Sequence, residues 1–253
     1  MIQFFQKHRF LCHATLCIDI GGLEKFMMHV DTAAVAPTAY RKLNLGCGFD
    51  LREGFVNVDL NDFHSPDIVA DISDLRDFPS GYYEEVVAQD VLEHMTREVS
   101  KVAFTEWARL LSPTGVLKVR IPSLIGLLTL IQTRSWDVEW HNHVVHLTFG
   151  TQAYNGDFHL TGFTPPILLD WAASAGVMLV SASLVDEWLY DLEFALMRSA
   201  TDSEYLHQLY FEVLGRPADT EGLQSHLRAL QDGASRDSVR ETFVNSSEAK
   251  VSA

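Results

Sequence analysis

The feature that most constrains this chain is a glycine turn that directly follows a short apolar segment. Lys42–Leu45 is predicted to be a strand, and Gly46 and Gly48 follow it with a single residue between them. Glycine at such a turn lets the backbone approach a ligand where a side chain would collide. A second predicted strand, Phe55–Leu60, carries Asp59 near its end, where a carboxylate can accept hydrogen bonds from both hydroxyls of a ribose. The two strands together indicate an α/β fold that binds a nucleoside-containing ligand.

The spacing of these residues separates two kinds of cofactor. A dinucleotide-binding fold is expected to show the pattern G-x-G-x-x-G and an acidic residue about 20 residues further on. Here the third glycine position holds Leu51, and Asp59 follows Gly46 by only 13 residues. The spacing therefore disfavours a nicotinamide cofactor and leaves a dehydrogenase as a distant alternative.

Strands and helices alternate along the segment that follows. Further strands are predicted at Ile68–Ile72, Glu85–Gln89 and Val116–Ile121, and a helix with Val99, Ala103, Trp107 and Leu110 on one face precedes a turn at Ser112–Gly115. This alternation predicts a Rossmann-like, doubly wound, mostly parallel sheet. Val177–Val185 and Leu192–Met197 are predicted to supply the last two strands, with antiparallel pairing at the sheet edge.

The chain divides into three predicted parts. Residues 1–40 form an N-terminal extension, residues 41–198 the α/β domain, and residues 199–253 a small α-helical domain. The helical part is predicted to contain three helices, and Asp219 and Ser235 are placed to cap the second and the third. Three short helices bury too little apolar surface to be stable alone. We therefore expect them to pack on the larger domain or on a second subunit of a homo-oligomer.

The composition excludes several classes of partner. The sequence holds 19 Lys and Arg against 34 Asp and Glu, a formal net charge of −15, and has no basic run, so no nucleic acid partner is expected. The three cysteines are too few for a disulfide framework and fit a reducing cytoplasm. The apolar run Leu124–Ile131 is shorter than the ~20 residues of a membrane span, so no transmembrane segment is predicted. Contact with the periphery of the inner membrane stays open.

Several segments resemble the successive motifs of class I methyltransferases, which use S-adenosyl-L-methionine. They are LNLGCG, NVDL, ADI, VLEH and EWARLLSPTGVLKVRIPS, and the later FGTQAYNGDFHLTGFTPPILLDWAASAGV extends the resemblance over about residues 41–180. The branch that they most resemble is associated with bacterial surface polysaccharide synthesis. LYFEVLGRPADTEGLQSHLRAL resembles a small helical domain of unknown function from bacterial surface and glycan-modifying proteins.

The resemblance implies a cofactor-binding role for residues at four strand ends. These residues are Asn44, Gly46, Cys47, Gly48, Asp59, Leu60, Asp71, Ile72, Gln89 and Asp90. By the same resemblance, residues 46–48 would line the methionine end of the cofactor, and Asp59 would hold the ribose hydroxyls with Leu60 beside the adenine. Asp71 would accept a hydrogen bond from the adenine amino group while Ile72 packs on the ring. Gln89 and Asp90 would lie near the sulfonium and the substrate pocket.

Three observations leave other interpretations open. Only residues 49–55 separate the glycine turn from the second strand, which is too few for an ordinary crossover helix. The first helix is therefore predicted to be one turn or absent, and the N-terminal extension is a candidate cover for the cofactor. Asp59 and Asp71 would also fit simple caps of turns after strands. Cys47 fits a small packing residue better than a nucleophile.

A hydroxyl acceptor needs help to lose its proton, because it is hardly ionised at neutral pH. His159 in FHLTGF and His94 in VLEH are the candidate catalytic bases, with Asp90 beside them, and packing histidines are the alternative. The pattern HxHxxH in residues 141–146 falls on a predicted irregular loop and matches no familiar ligand spacing. No metal site is therefore predicted.

The leading functional hypothesis is O-methylation of a saccharide or glycan precursor in the bacterial cytoplasm. One alternative is methylation of another small molecule. A second alternative, from a different class, is a non-catalytic methyltransferase-like scaffold whose C-terminal helices dock a protein or a glycan.

Overall fold

A computed structural model describes residues 36–134, 136–153 and 156–252. The predicted N-terminal extension, including its suggested role as a cover, lies outside the described residues except for its last five positions. All of the described residues belong to one compact unit. Within them, no helix combines the length and the apolar character that crossing a membrane requires.

A seven-stranded sheet with the order β3-β2-β1-β4-β5-β7-β6 forms the centre of this unit. Its strands are β1 Lys42–Leu45, β2 Val56–Asp59, β3 Ile68–Val69, β4 Tyr83–Gln89, β5 Leu111–Pro122, β6 Val177–Val185 and β7 Leu189–Leu196. Only β7 is antiparallel to its neighbours, and it lies between β5 and the edge strand β6. The predicted Rossmann-like, mostly parallel sheet with antiparallel pairing at one edge is confirmed.

The chain changes direction in the sheet between β1 and β4. From β1 it runs outward to β2 and β3, and it then returns to β4 and β5 on the other side. Ligands of open α/β sheets bind in the crevice at such a switch point, outside the carboxyl ends of the strands. The topology therefore places the functional site at the carboxyl ends of β1, β2, β4 and β5.

The connections on the β1–β3 side contain no α-helix. Residues 49–55 are irregular, as predicted, and only the 3₁₀ turn Asp62–His64 lies between β2 and β3. As a result, a group of large apolar side chains beside the glycine turn is exposed within the described part of the chain. The group consists of Phe49, Leu51, Leu60 and Phe63.

Helix α1 (Arg97–Leu110) packs its apolar face against the sheet, and Trp107 donates from its indole N–H to the carbonyl of Ile72 at 2.8 Å. The predicted turn at Ser112–Gly115 is instead a bulge inside β5. Leu111 pairs with Tyr83, and the next pair joins Val116 to Glu85. The breaker residues are therefore accommodated without ending the strand.

The segment between β5 and α4 (Pro165–Ser174) holds two further helices, α2 (Leu124–Gln132) and α3 (Val138–Phe149). They share a small core of Leu127, Leu130 and Val144, against which Trp140 and Trp188 pack. Residues 141–146 lie on α3, so the predicted irregular loop is wrong. On this helix His143 and His146, three residues apart, share a face, whereas His141 points to another side.

The C-terminal helices are α5 (Asp202–Leu209), which continues as the π-helical turn Tyr210–Leu214, α6 (Thr220–Gln231), α7 (Arg236–Val244) and α8 (Ser247–Ser252). Asp219 and Ser235 cap α6 and α7 as predicted. The helices have a small core of their own, but Phe211 belongs to the main core and contacts Tyr190 of β7. The expected packing on the larger domain is thus confirmed, whereas the boundary at residue 199 stays a prediction.

Candidate active site

The glycine turn places backbone at the carboxyl end of β1. Gly46 and Gly48 have φ of +62° and +50°, which side chains rarely adopt. A Cβ on Gly46 would also collide with Val91, whereas a Cβ on Gly48 would meet no atom within 4 Å. The turn is therefore closed on the side of Gly46 and open on the side of Gly48. This open side is where a ligand can approach the backbone.

Cys47 lies between these glycines and is buried. Its backbone N–H donates to the carbonyl of Val58 at 3.1 Å, which ties the turn to β2. Burial and, next, the charge of Asp59 raise the pKa of the Cys47 thiol to about 12. The thiol therefore stays protonated at neutral pH, in agreement with a packing role rather than a nucleophilic one.

Asp59 ends β2 and is only 8% exposed. Its Oδ2 accepts from the N–H of Gly48 at 2.8 Å, and its Oδ1 accepts from the N–H of Asn61 at 2.8 Å and lies 3.0 Å from Nδ1 of His64. Burial acts to raise the pKa of this carboxyl, but these hydrogen bonds outweigh it and lower the pKa. A carboxylate accepts about four hydrogen bonds. Asp59 therefore stays ionised and keeps acceptor capacity on Oδ2, which fits a ribose hydroxyl.

Asn44 shapes the loop that follows the turn. Its side-chain amide donates to the carbonyl of Asp50 at 2.6 Å and to Oδ1 of Asn57 at 3.1 Å. Oδ1 of Asn57 also accepts from the backbone N–H of Arg52 at 2.8 Å. The side chain of Asn44 is thus hydrogen-bonded within the protein, and it holds the loop of residues 49–55 in place beside the glycine turn.

The residues predicted near the adenine differ in exposure. Leu60 is 72% exposed, whereas Ile72 is 6% exposed and belongs to the main core. Of the two, Leu60 is therefore the apolar side chain that is open to an adenine ring. Asp71 is exposed, and its Oδ1 accepts from the backbone N–H and the hydroxyl of Ser73 at 2.9 and 2.7 Å. This is the turn cap that the sequence left open as an alternative, and Oδ2 remains for another donor.

Two arginines, which the sequence did not identify, hold the residues at the end of β4. Arg52 donates to Oε1 of Gln89 at 2.6 Å, and Arg120 of β5 forms a bidentate ion pair with Asp90. Asp90 also has φ of +55°, a conformation that Asp tolerates better than most residues. Its carboxylate is neutralised by Arg120, which makes it a poor catalytic base.

Next to this ion pair, the structure brings together His94 and His159, which are 65 positions apart in the sequence. Their ring centroids are 4.9 Å apart. The backbone N–H of Leu160 donates to the carbonyl of Glu93 at 2.6 Å and fastens the two segments to each other. Burial, followed by the proximity of His94, lowers the pKa of His159, so its imidazole is neutral at neutral pH. Both candidate bases therefore belong to one site.

Glu93 is the third member of this site and was missed by the sequence analysis. It is only 2% exposed, and burial, with a smaller effect of the Asp90 charge, raises the pKa of its carboxyl to about 8. Among the described residues, Oε2 of Glu93 and Nδ1 of both histidines are buried without a hydrogen-bond partner. The available signal was its position in VLEH, directly beside a histidine that was identified.

A cleft of about 540 Å³ lies between the α2–α3 segment and the turn that joins β6 to β7. Trp140 and Trp188 line it, together with charged and polar side chains that include Arg134, Asp186 and Glu187. Leu147 also lines the cleft, and its backbone lies close to the His159 ring. The cleft is thereby connected to the cluster of Glu93 and the two histidines.

Comparisons with known proteins identify the class. Residues 32–119 match a family described as a methyltransferase domain, and residues 189–252 match the domain of unknown function DUF4214. No curated protein matches the chain. The match agrees with the strand order, the glycine turn and Asp59, and it confirms the predicted enzyme class. The chain is an S-adenosylmethionine-dependent methyltransferase.

Solved structures with a similar fold include three from different organisms. The PH0226 protein from Pyrococcus horikoshii OT3 is 16% identical, with 62% of this chain and 81% of that chain covered and a TM-score of 0.44. 1,6-Didemethyltoxoflavin-N1-methyltransferase from Burkholderia thailandensis is 13% identical, with 62% of this chain and 71% of that chain covered and a TM-score of 0.42. Magnesium protoporphyrin IX methyltransferase from Synechocystis PCC 6803 is 14% identical, with 62% of this chain and 74% of that chain covered and a TM-score of 0.42.

Proposed function

We propose that this methyltransferase transfers the methyl group of S-adenosylmethionine to a hydroxyl group of a saccharide or glycan precursor. The cofactor is placed along the carboxyl ends of β1 and β2, with its ribose on Asp59, its adenine between Leu60 and Asp71, and its methionine end along residues 46–48. Gln89 and Asp90 then lie on the side of the sulfonium. The observation that supports this arrangement best is the open face of Gly48 beside the ionised carboxylate of Asp59.

The cleft lined by Trp140 and Trp188 is the feature that supports a saccharide as the acceptor. Saccharides are recognised by aromatic faces that pack against C–H groups and by carboxylates that accept from hydroxyls. Both are present, because Asp186 and Glu187 line the same cleft. Leu147 links the cleft to His159, so an acceptor bound there is directed toward the reacting atoms.

The reaction is an in-line displacement. The acceptor oxygen forms a bond to the methyl carbon, and the bond between that carbon and sulfur breaks with its electron pair going to sulfur. The products are a methyl ether, S-adenosylhomocysteine and one proton. That proton leaves the hydroxyl at the site formed by Glu93, His94 and His159. Placement of the two reactants supplies much of the rate, up to ~7–11 kcal/mol in well-oriented cases.

Transfer of a labelled methyl group to a panel of glycosides and nucleotide sugars tests the proposal. We expect Trp140→Ala and Trp188→Ala to lower turnover of the best saccharide about tenfold, because each removes part of the cleft wall. The matched control is Trp136→Ala, since Trp136 is 96% exposed and does not line the cleft. Methylation of a non-saccharide metabolite alone, or no turnover by a protein that binds the cofactor, would contradict it.

The C-terminal helices are proposed to dock a protein or glycan partner of the same process, in the bacterial cytoplasm or at the periphery of the inner membrane. The polar face of α6 is the candidate surface, since Gln224 and Arg228 are exposed there. A pull-down with the double variant Gln224→Lys and Arg228→Glu tests it. Retention of every wild-type partner, and of the oligomeric state, would count against this role.

A further inference from the structure

The cluster of Glu93, His94 and His159 has the composition of a metal site. A carboxylate oxygen and one nitrogen from each imidazole lie within 4.8 Å of one another. Around a zinc ion, ligand atoms at bond lengths of about 2.0–2.2 Å are somewhat closer together than that. Small side-chain rotations would therefore bring these three atoms to bonding distance without a change in the backbone.

The hydrogen bonding of the cluster points to an occupant. Oε2 of Glu93 and Nδ1 of His94 and His159 are all buried, and none has a hydrogen-bond partner among the described residues. Buried polar atoms are nearly always paired, because leaving one unpaired is costly. The residues that carry these atoms come from two distant segments, and they are the same three residues whose ligand atoms lie within 4.8 Å of one another. We propose that they hold a divalent transition-metal ion of the zinc class, with Glu93, His94 and His159 as its three protein ligands.

A shared proton accounts less well for the same atoms. A protonated Glu93 can donate to one imidazole, and this pairs two of the three atoms and leaves the other imidazole nitrogen without a partner. A cation satisfies all three at once. Two imidazoles with one carboxylate is also a ligand set that suits zinc and its neighbours better than magnesium or calcium.

The surroundings of His159 support the same assignment. The backbone of Leu147 and Thr148 lies close to its ring, and its Nδ1 is buried without a hydrogen-bond partner among the described residues. Metal-binding histidines typically donate their other N–H to a carbonyl, which fixes the ring and the tautomer. The backbone of Leu147 and Thr148 is therefore in a position to orient the His159 ring as a ligand.

Three protein ligands leave a coordination position open, as in catalytic zinc sites. If the proposed O-methylation is correct, on which this step rests, the acceptor hydroxyl takes that position. Coordination then lowers the pKa of the hydroxyl, and its proton is released to solvent as the oxygen attacks the methyl group. The ion replaces an imidazole base, which a metal-bound histidine can no longer be. The inference also replaces our prediction that the chain has no metal site.

Zinc binding to the metal-stripped full-length protein tests the site without any acceptor. We expect wild type to bind one Zn²⁺ tightly in competition with a chromophoric chelator. Glu93→Gln and His159→Ala should weaken binding at least tenfold, while His146→Ala, which removes an exposed histidine of α3, should leave it unchanged. Because a buried variant can unfold, X-ray absorption of the wild-type zinc complex provides a second measurement, with two imidazoles and a carboxylate expected around the ion.

Equal zinc affinity in wild type and in both ligand variants would overturn the assignment. So would the absence of zinc binding by folded wild type, or a first shell without two imidazoles. Methyl-transfer assays on the same samples keep the two proposals apart. Zinc binding without saccharide methylation refutes the acceptor and leaves the metal site standing, whereas saccharide methylation by a protein that binds no zinc refutes the metal site alone.

Discussion

The two sides of the active site differ in how their buried polar groups are hydrogen-bonded. On the β1–β2 side, which we call the cofactor side, Asp59 and Asn57 have hydrogen bonds from neighbouring backbone and side chains. On the β4 side, which we call the acceptor side, Glu93, His94 and His159 each keep one buried polar atom without a partner among the described residues. The first side is a preformed surface, and the second is complete only when something is bound.

The difference follows from how each side is built. The β1–β2 side consists of residues close together in sequence, joined by a loop too short for a helix, so local hydrogen bonds fix it. The β4 side is assembled from the end of β4 and from the segment between β5 and α4, which meet through the contact of Leu160 with Glu93. Long-range assembly lets the protein concentrate ligand atoms where local structure alone would not.

The largest effect on stability is expected in the glycine turn, where alanine should be tolerated less well at Gly46 than at Gly48. Gly46→Ala combines positive φ with a collision against Val91, and we expect it to lower the free energy of unfolding by about 3 kcal/mol and to abolish cofactor binding. Gly48→Ala has the same backbone problem without the collision, and about 1 kcal/mol is expected. Urea denaturation of both variants measures the difference. Equal losses would show that the contact with Val91 does not shape the turn.

A smaller effect is expected at the boundary between the two sides. Arg120→Gln removes the cation that neutralises Asp90 and leaves that carboxylate uncompensated beside Glu93. Because the ion pair is more than a third exposed and therefore screened, we expect turnover to fall by only about tenfold. Cofactor affinity should change less than turnover. Steady-state kinetics beside calorimetric titration checks this, and a larger change in affinity than in turnover would place Arg120 on the cofactor side.

The smallest effect is expected away from both sides, at the capping box that begins α5. Glu204 accepts from the backbone N–H of Thr201 and pairs with Arg198, and the side-chain hydrogen bond from Arg198 is the main cause that lowers the pKa of Glu204 to about 2. Its stabilisation is present above the unfolded pKa and is lost as the pH falls toward 2. Glu204→Gln should therefore cost about 1 kcal/mol at pH 7 and progressively less below pH 4.5. A cost that does not change between pH 7 and pH 3 would show that the charge plays no part.

Much of the cofactor side could be predicted from the sequence. Its strands are short and apolar and end at glycine or aspartate, and the loop of residues 49–55 leaves no room for a helix, so local pattern determines the structure. The bulge at 112–115 was not predictable in the same way. Ser112–Gly115 is built of turn residues, and only pairing with Tyr83 on a neighbouring strand keeps it in β5.

The acceptor side could be predicted only in part. His94 and His159 were identified separately, but nothing in their spacing indicates that their rings meet. Glu93 was not identified because a glutamate is usually exposed, and its burial depends on segments far along the chain. The helix α3 was missed because its apolar residues do not form a clear stripe along residues 138–149.

Titration calorimetry of S-adenosylhomocysteine binding tests the division of the site most directly. Asp59→Asn and Glu93→Gln are matched variants, since each replaces a buried carboxyl group by an amide of the same shape. We expect Asp59→Asn to weaken binding about tenfold or more, because the amide loses charge and acceptor capacity, and Glu93→Gln to bind within about twofold of wild type. Equal weakening by the two variants, or wild-type affinity in Asp59→Asn, would contradict the separation of a cofactor side from an acceptor side.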